Sequence, residues 1–91
     1  MYKVVEITTP TCSVCKMLKP MIAKVMESYP NVTLCVADHE DADIQYFLHE
    51  FSIKSVPAFF FVKEGETVDT HFGPITVPLL KEKINKLIDE S

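Results

Sequence analysis

Cys12 and Cys15 are separated by two residues, and the third cysteine of the chain, Cys35, lies twenty positions further on. Two thiols at this spacing can form and break a mutual disulfide, or can lend two thiolates to a metal. A tetrahedral zinc site wants four ligands, and no second close pair exists elsewhere in the sequence, so exchange chemistry is favoured over half a metal site. A small secreted domain held by disulfides would carry more cysteines, in an even number. The Cys12/Cys15 pair therefore reads as reactive rather than as a staple.

What makes the pair chemical is its place. Tyr2 to Ile7 is apolar and β-prone, stops before Thr8-Thr9-Pro10, and reads as a buried strand. After it, Val14, Met17, Leu18, Met21, Ile22, Val25, Met26 and Tyr29 recur at helical spacing, and Tyr29-Pro30-Asn31 ends the run. The cysteines thus sit where a strand hands over to a helix. Unpaired backbone N–H groups and the positive end of the dipole there favour a thiolate, and can bring a thiol from a pKa of ~8.5 into the range ~3.5–7.5. Cys12, on the loop side, is the expected nucleophile; Cys15, one turn deeper, the expected resolving thiol. Lys16 adds a nearby positive charge.

The remaining elements follow from pattern. Val32, Leu34 and Val36 alternate as a second strand that opens into Asp38-His39-Glu40-Asp41, and Ile44, Phe47, Leu48 and Phe51 mark a short second helix. Ala58-Phe59-Phe60-Phe61-Val62 reads as a central strand buried on both faces. Lys63-Glu64-Gly65-Glu66 is a hairpin turn with glycine where φ > 0 is needed, and Thr67 to Phe72 return as a strand. Gly73-Pro74 breaks that strand. Thr76 is placed to cap a last helix carrying Val77, Leu80, Ile84, Leu87 and Ile88. The order is βαβαββα, an α/β domain over residues 1–91. Its first half needs parallel pairing and its second half is a hairpin, so a mixed four-stranded sheet flanked by three helices is expected.

Several features in register over about 80 residues resemble the thioredoxin family. They are a C-x-x-C followed by Lys and, five residues after the second cysteine, a mid-helix proline, here Cys15-Lys16-Met17-Leu18-Lys19-Pro20. Val56-Pro57 precedes the central strand, Gly65 sits in the hairpin, Gly73 stands before the last helix, and an acid, Glu6, lies six residues before Cys12. The resemblance implies a thioredoxin-like fold and a dithiol oxidoreductase that reduces disulfide-containing proteins without metal or organic cofactor. It further implies that a buried Glu6 accepts the proton of Cys15, and that Pro57 is cis. Substrate would then lie against a rim of Thr11, Val14, Val56, Pro57, Gly73 and Pro74.

The departures are equally plain. Thr11-Cys12-Ser13-Val14-Cys15 replaces the family's usual Trp-Cys-Gly-Pro-Cys, the buried acid is Glu rather than Asp, and the N-terminal strand and helix of full-length thioredoxins have no counterpart. The size suits a glutaredoxin-like enzyme using glutathione, although the absence of arginine and of a Gly-Gly-x-Asp stretch counts against it. The electron donor is thus a thioredoxin reductase-like protein or glutathione. A scaffold sharing an iron–sulfur cluster through Cys12 is the remaining alternative.

Composition narrows the partners. Nine lysines, thirteen acids and a net charge of −4, with no lysine cluster, make a poor ligand for nucleic acid or anionic lipid. The longest uncharged apolar run, Ser55 to Val62, is too short to span a bilayer, and the first residues do not read as a secretory signal. A cytoplasmic monomer is the expectation. Cys35 reads as a small buried hydrophobe, the Met17, Met21 and Met26 spacing as core, and His39 as part of a solvated acidic loop.

Overall fold

A computed structural model describes residues 1–38 and 55–89, and the secondary structure follows the hydrophobic patterning closely. β1 (Tyr2–Thr8), α1 (Ser13–Met26), β2 (Val32–Asp38), β3 (Ala58–Lys63), β4 (Glu66–Phe72) and α2 (Val77–Asp89) succeed one another along the chain. The helix expected around Ile44 to Phe51, together with His39 and His49, lies outside the described residues.

The four strands form one sheet in the order β2-β1-β3-β4. β1 runs parallel to β2 and antiparallel to β3, and β3 pairs antiparallel with β4, which makes the sheet mixed. The parallel step needs a crossover, and α1 supplies it. The hairpin turns on Glu64 and Gly65, both at positive φ, as a two-residue type I′ connection requires. Beyond the turn the register slips by one between Phe61 and Val62, leaving Val68 as the extra residue of a bulge.

Strand periodicity divides the core in two. Val4, Phe59 and Phe61 join Ile22 and Val25 of α1 and Leu80, Ile84 and Leu87 of α2 on one side. Val5, Ile7, Ala58, Phe60 and Val62 cluster on the other, with Cys35, Ala37 and Phe72 against them. Phe59, Phe60 and Phe61 are all fully buried, so β3 is the doubly covered centre of the sheet that its unbroken apolar run predicts. Tyr29 Oη donates to Asn85 Oδ1 at 3.0 Å, tying the end of α1 to α2. Thr76 caps α2 as its position suggests, its hydroxyl accepting from the Leu79 N–H at 3.3 Å.

Two expectations need correction. Met17 is not core: it is 75% exposed, because it lies roughly 130° around α1 from the Cys15-Ile22-Val25 stripe at 100° per residue. Cys35 is only half-buried, because β2 is the strand at the margin of the described sheet and its burial weakens along its length, until Val36 is 55% exposed.

Candidate active site

β1 ends at Thr8, and the turn that follows is closed by the Cys12 N–H donating to the Thr9 carbonyl at 3.2 Å. This turn delivers Cys12 to the N-cap of α1 in extended conformation (φ −82°, ψ 100°). From there its sulfur accepts the N–H of Cys15 at 3.0 Å. A side chain that accepts the third N–H of a helix is doing what serine or aspartate does at other N-caps. Here the acceptor is sulfur, and a negative charge on it would meet the unpaired N–H groups and the positive end of the dipole. The first turn contains no acid to compete for that field.

Cys12 and Cys15 are joined as a disulfide, with Cα atoms 5.3 Å apart, inside the usual range for such bonds. Cys15 is buried, while Cys12 is partly exposed between exposed Thr11 and Ser13. The asymmetry expected of an outer nucleophile and an inner partner is therefore present in the geometry. α1 runs on through Pro20 without a break, although a proline there leaves the Lys16 carbonyl without its helical donor.

Glu6 is 3% exposed and is the one charged residue among the buried side chains of the described residues. Strand alternation puts it on the face of Val4, under α1, where it pairs in register with Val36 of β2 and Phe59 of β3. It shares a cleft of about 200 Å³ with Thr8, Thr9, Cys15, Lys16, Lys19 and Val36. Burial pushes its carboxyl above the usual value of 4.5, and the positive charge of Lys19 pulls the other way. The cleft thus puts a proton acceptor, the buried Cys15 and two lysines around one hollow. Lys16 and Lys19 are both exposed.

The rest of the expected rim gathers at the same end of the sheet. Ile7 of β1 pairs with Ala58 at the start of β3, which pairs with Phe72 at the end of β4, so Val56-Pro57 and Gly73-Pro74 lie beyond the same edge as the Cys12 turn. The Val56–Pro57 peptide bond is cis, as the resemblance implies. Pro57 is buried, and its carbonyl accepts the Gly73 N–H at 2.8 Å, locking the two segments together. Gly73 has φ +95°, which only glycine adopts readily; a Cβ there would find ordinary space, so conformation rather than crowding dictates the residue. His71 reinforces this corner, its Nε2 lying 2.9 Å from the Pro74 carbonyl. Val56 is half-buried, and Thr11, Val14 and Pro74 are exposed.

Lys19 was not singled out by sequence, although the signal was there: four residues after Cys15 is one helical turn, which stacks the two side chains on one face. Among the described residues no three His, Cys, Asp or Glu side chains group as a metal-holding cluster. No helix among them is long and apolar enough to cross a membrane.

Comparison with known proteins places this geometry. The thioredoxin family model matches residues 2–88. A thioredoxin H-type of Ricinus communis is 33% identical over 70 residues, which are 77% of this chain and 58% of that protein. A thioredoxin of Porphyra purpurea is 31% identical over 84 residues, 92% of this chain and 78% of the other. The crystal structure of a poplar wild-type thioredoxin h superposes with a TM-score of 0.79 at 28% identity, covering 97% of this chain and 77% of that one. The chain thus spans little more than half of the castor-bean relative and about three quarters of the other two.

Proposed function

The chain belongs to the thioredoxin family, and on that footing we propose that it catalyses thiol–disulfide exchange, reducing disulfide-bearing proteins through Cys12 and Cys15. The observation that carries this reading is the Cys12 sulfur at the N-cap of α1, accepting the Cys15 N–H and bonded to the Cys15 sulfur. A thiolate formed at that place is held by backbone donors and remains accessible from the Thr11 side.

The reduced enzyme acts in two steps. The Cys12 thiolate attacks one sulfur of a substrate disulfide; a Cys12–substrate disulfide forms, and the other substrate sulfur departs as a thiolate that takes a proton from water. Glu6 then accepts the proton of Cys15 across the cleft, directly or through one water. The Cys15 thiolate attacks Cys12, closing the internal disulfide and expelling the second substrate sulfur, which is protonated in turn. Two electrons and two protons pass to the substrate. A donor of two electrons, thioredoxin reductase-like or glutathione, restores the dithiol.

Val56 and the Gly73-Pro74 corner would hold the substrate chain beside Cys12, with Thr11 and Val14 completing an apolar rim. Reduction of insulin in the presence of dithiothreitol tests the reading: wild type accelerates precipitation of the B chain, and Cys12→Ser does not. Equal acceleration by both proteins would refute it. Running the cycle with NADPH and a thioredoxin reductase, then with glutathione and its reductase, assigns the donor.

A further inference from the structure

The carbonyl of Pro74 is held by a side chain to which the exchange reading gives no task. His71 stands on β4 opposite Phe59 of β3, and its ring lies against the Phe59 ring, with centroids 6.2 Å apart and planes at 45°. From there Nε2 lies 2.9 Å from the Pro74 carbonyl oxygen. A carbonyl only accepts, so Nε2 carries the hydrogen and donates it. The neutral Nε2–H tautomer and the imidazolium make this bond alike.

What the bond does to the chain follows from the geometry of proline. Residues 73–76 link β4 to α2 and belong to neither. Gly73 is fastened by its N–H to the Pro57 carbonyl at 2.8 Å, and Ile75 by a side chain that is 3% exposed, in one cluster with Leu80 and Ile84. Pro74, between these two anchors, is exposed and has no N–H to donate. Its ring already fixes φ, which leaves ψ as its backbone freedom, and a held carbonyl fixes ψ. His71 thus completes the immobilisation of this arm at the residue that the core does not grip.

We propose that His71 is a positioning residue for substrate binding: by fixing Pro74 it keeps the Gly73-Pro74 arm in the shape that receives the chain of a disulfide-bearing protein, and so lowers the substrate concentration needed to engage Cys12. The proposal deepens the exchange reading and rests on it. An arm that is rigid beforehand loses less conformational freedom when a substrate chain settles on it, which raises affinity and leaves the bond-making steps alone. A small disulfide has no peptide chain to lay along the arm and gains nothing from its rigidity.

Two substrates separate binding from chemistry, with the chain reduced beforehand and in a Cys35→Ala background. With Ellman's reagent, attack by Cys12 releases one coloured thiolate and closure by Cys15 releases a second, and both rates are followed as a function of pH. With insulin, single turnovers at rising insulin concentration give a half-saturating concentration and a limiting rate. His71→Phe keeps a ring against Phe59 and removes the donor. It is expected to raise the half-saturating insulin concentration about two- to tenfold, the span of one hydrogen bond, while the limiting rate and both Ellman profiles match the parent. His71→Gln, whose amide can donate, should recover most of the parent value. An unchanged half-saturating concentration in His71→Phe would overturn the proposal while leaving the exchange reading intact. An equal rise in His71→Gln would also overturn it, because the donor would then be irrelevant. So would a fall in the limiting rate shared with the Ellman releases, because His71 would then act on the cysteines. If the parent neither reduces insulin nor shows a second release, the exchange reading falls, and the proposal with it. Circular dichroism and Tm compare the folds, and His71→Leu takes the place of His71→Phe if the latter does not fold.

Discussion

Two pairs of opposite charges meet the core of this small domain, and they are treated differently. On the β4–α2 side, Lys83 reaches Asp69 at 2.9 Å and the Thr70 carbonyl at 3.4 Å, with its ammonium 5.8 Å above the ring of Phe61. Asp69 Oδ1 also accepts the Thr70 N–H at 2.8 Å, and both side chains keep partial access to water. On the β1–α1 side, Glu6 is almost fully buried and faces Lys19 over an open hollow, and its carboxyl is pushed up by desolvation. The first arrangement fixes charge in place and makes architecture. The second leaves a carboxyl whose hold on its proton is strengthened by burial beside Cys15, which is how an acid–base group is prepared.

If this contrast is correct, damage on the two sides differs in kind. The largest effect belongs to Cys12→Ser, which removes the nucleophile served by the β1–α1 cleft and should lower disulfide reduction by roughly a thousandfold or more, with no loss of fold by circular dichroism. Glu6→Gln comes next. It should slow closure of the internal disulfide about a hundredfold near neutral pH, the low end of what a positioned base contributes, measured by the second thiolate release.

The same substitution tests the energetic side of the contrast. Glu6 binds its proton more tightly in the folded than in the unfolded chain, so the folded state holds more protons between 4.5 and its raised folded value. Stability falls as pH rises through that window and stays lowered above it. Glu6→Gln should accordingly raise Tm at pH 7, with the gain closing as pH falls towards 4.5. On the other side, Lys83→Met should lower Tm by an amount matching about 1 kcal/mol and leave both pH profiles of exchange unmoved. A Lys83→Met protein with a displaced second step would erase the distinction between the two regions.

The smallest expected effect sharpens the first step. Ser13→Asp places an acid in a helical turn that has none, beside the Cys12 sulfur. Like-charge repulsion should raise the Cys12 thiol and slow its attack about two- to fivefold at neutral pH, read from the first thiolate release. No effect would mean that the field at the helix start does not govern Cys12.

The legibility of these features in the sequence follows their physics. Short-range pattern carries far: the apolar run of β3, the Glu64-Gly65 turn, the cap at Thr76 and the strand-to-helix site of Cys12 all depend on a few neighbouring residues. The burial of Glu6 was readable only through resemblance, because a charge in a strand looks the same from sequence whether it faces solvent or a helix. Met17 misled because helical spacing identifies an apolar sector without fixing its limits, and Met17 lies on the solvent flank. Cys35 misled because its burial depends on where β2 stands in the sheet, which is a property of topology. Lys19 escaped notice because a lysine on a helix is usually solvated, as this one is, and its place beside Glu6 shows only in the hollow the two share.

The central claim is that the start of α1 ionises one sulfur and holds the other within bonding distance. Alkylation of the reduced chain by iodoacetamide across pH, with the modified residue located by mass spectrometry, tests it most directly. The account predicts that Cys12 is modified first, with a midpoint well below the ~8.5 of a free thiol, and that oxidation of the unmodified chain abolishes labelling of both Cys12 and Cys15. Two thiols with ordinary midpoints near 8.5 that remain open to label after oxidation would contradict it.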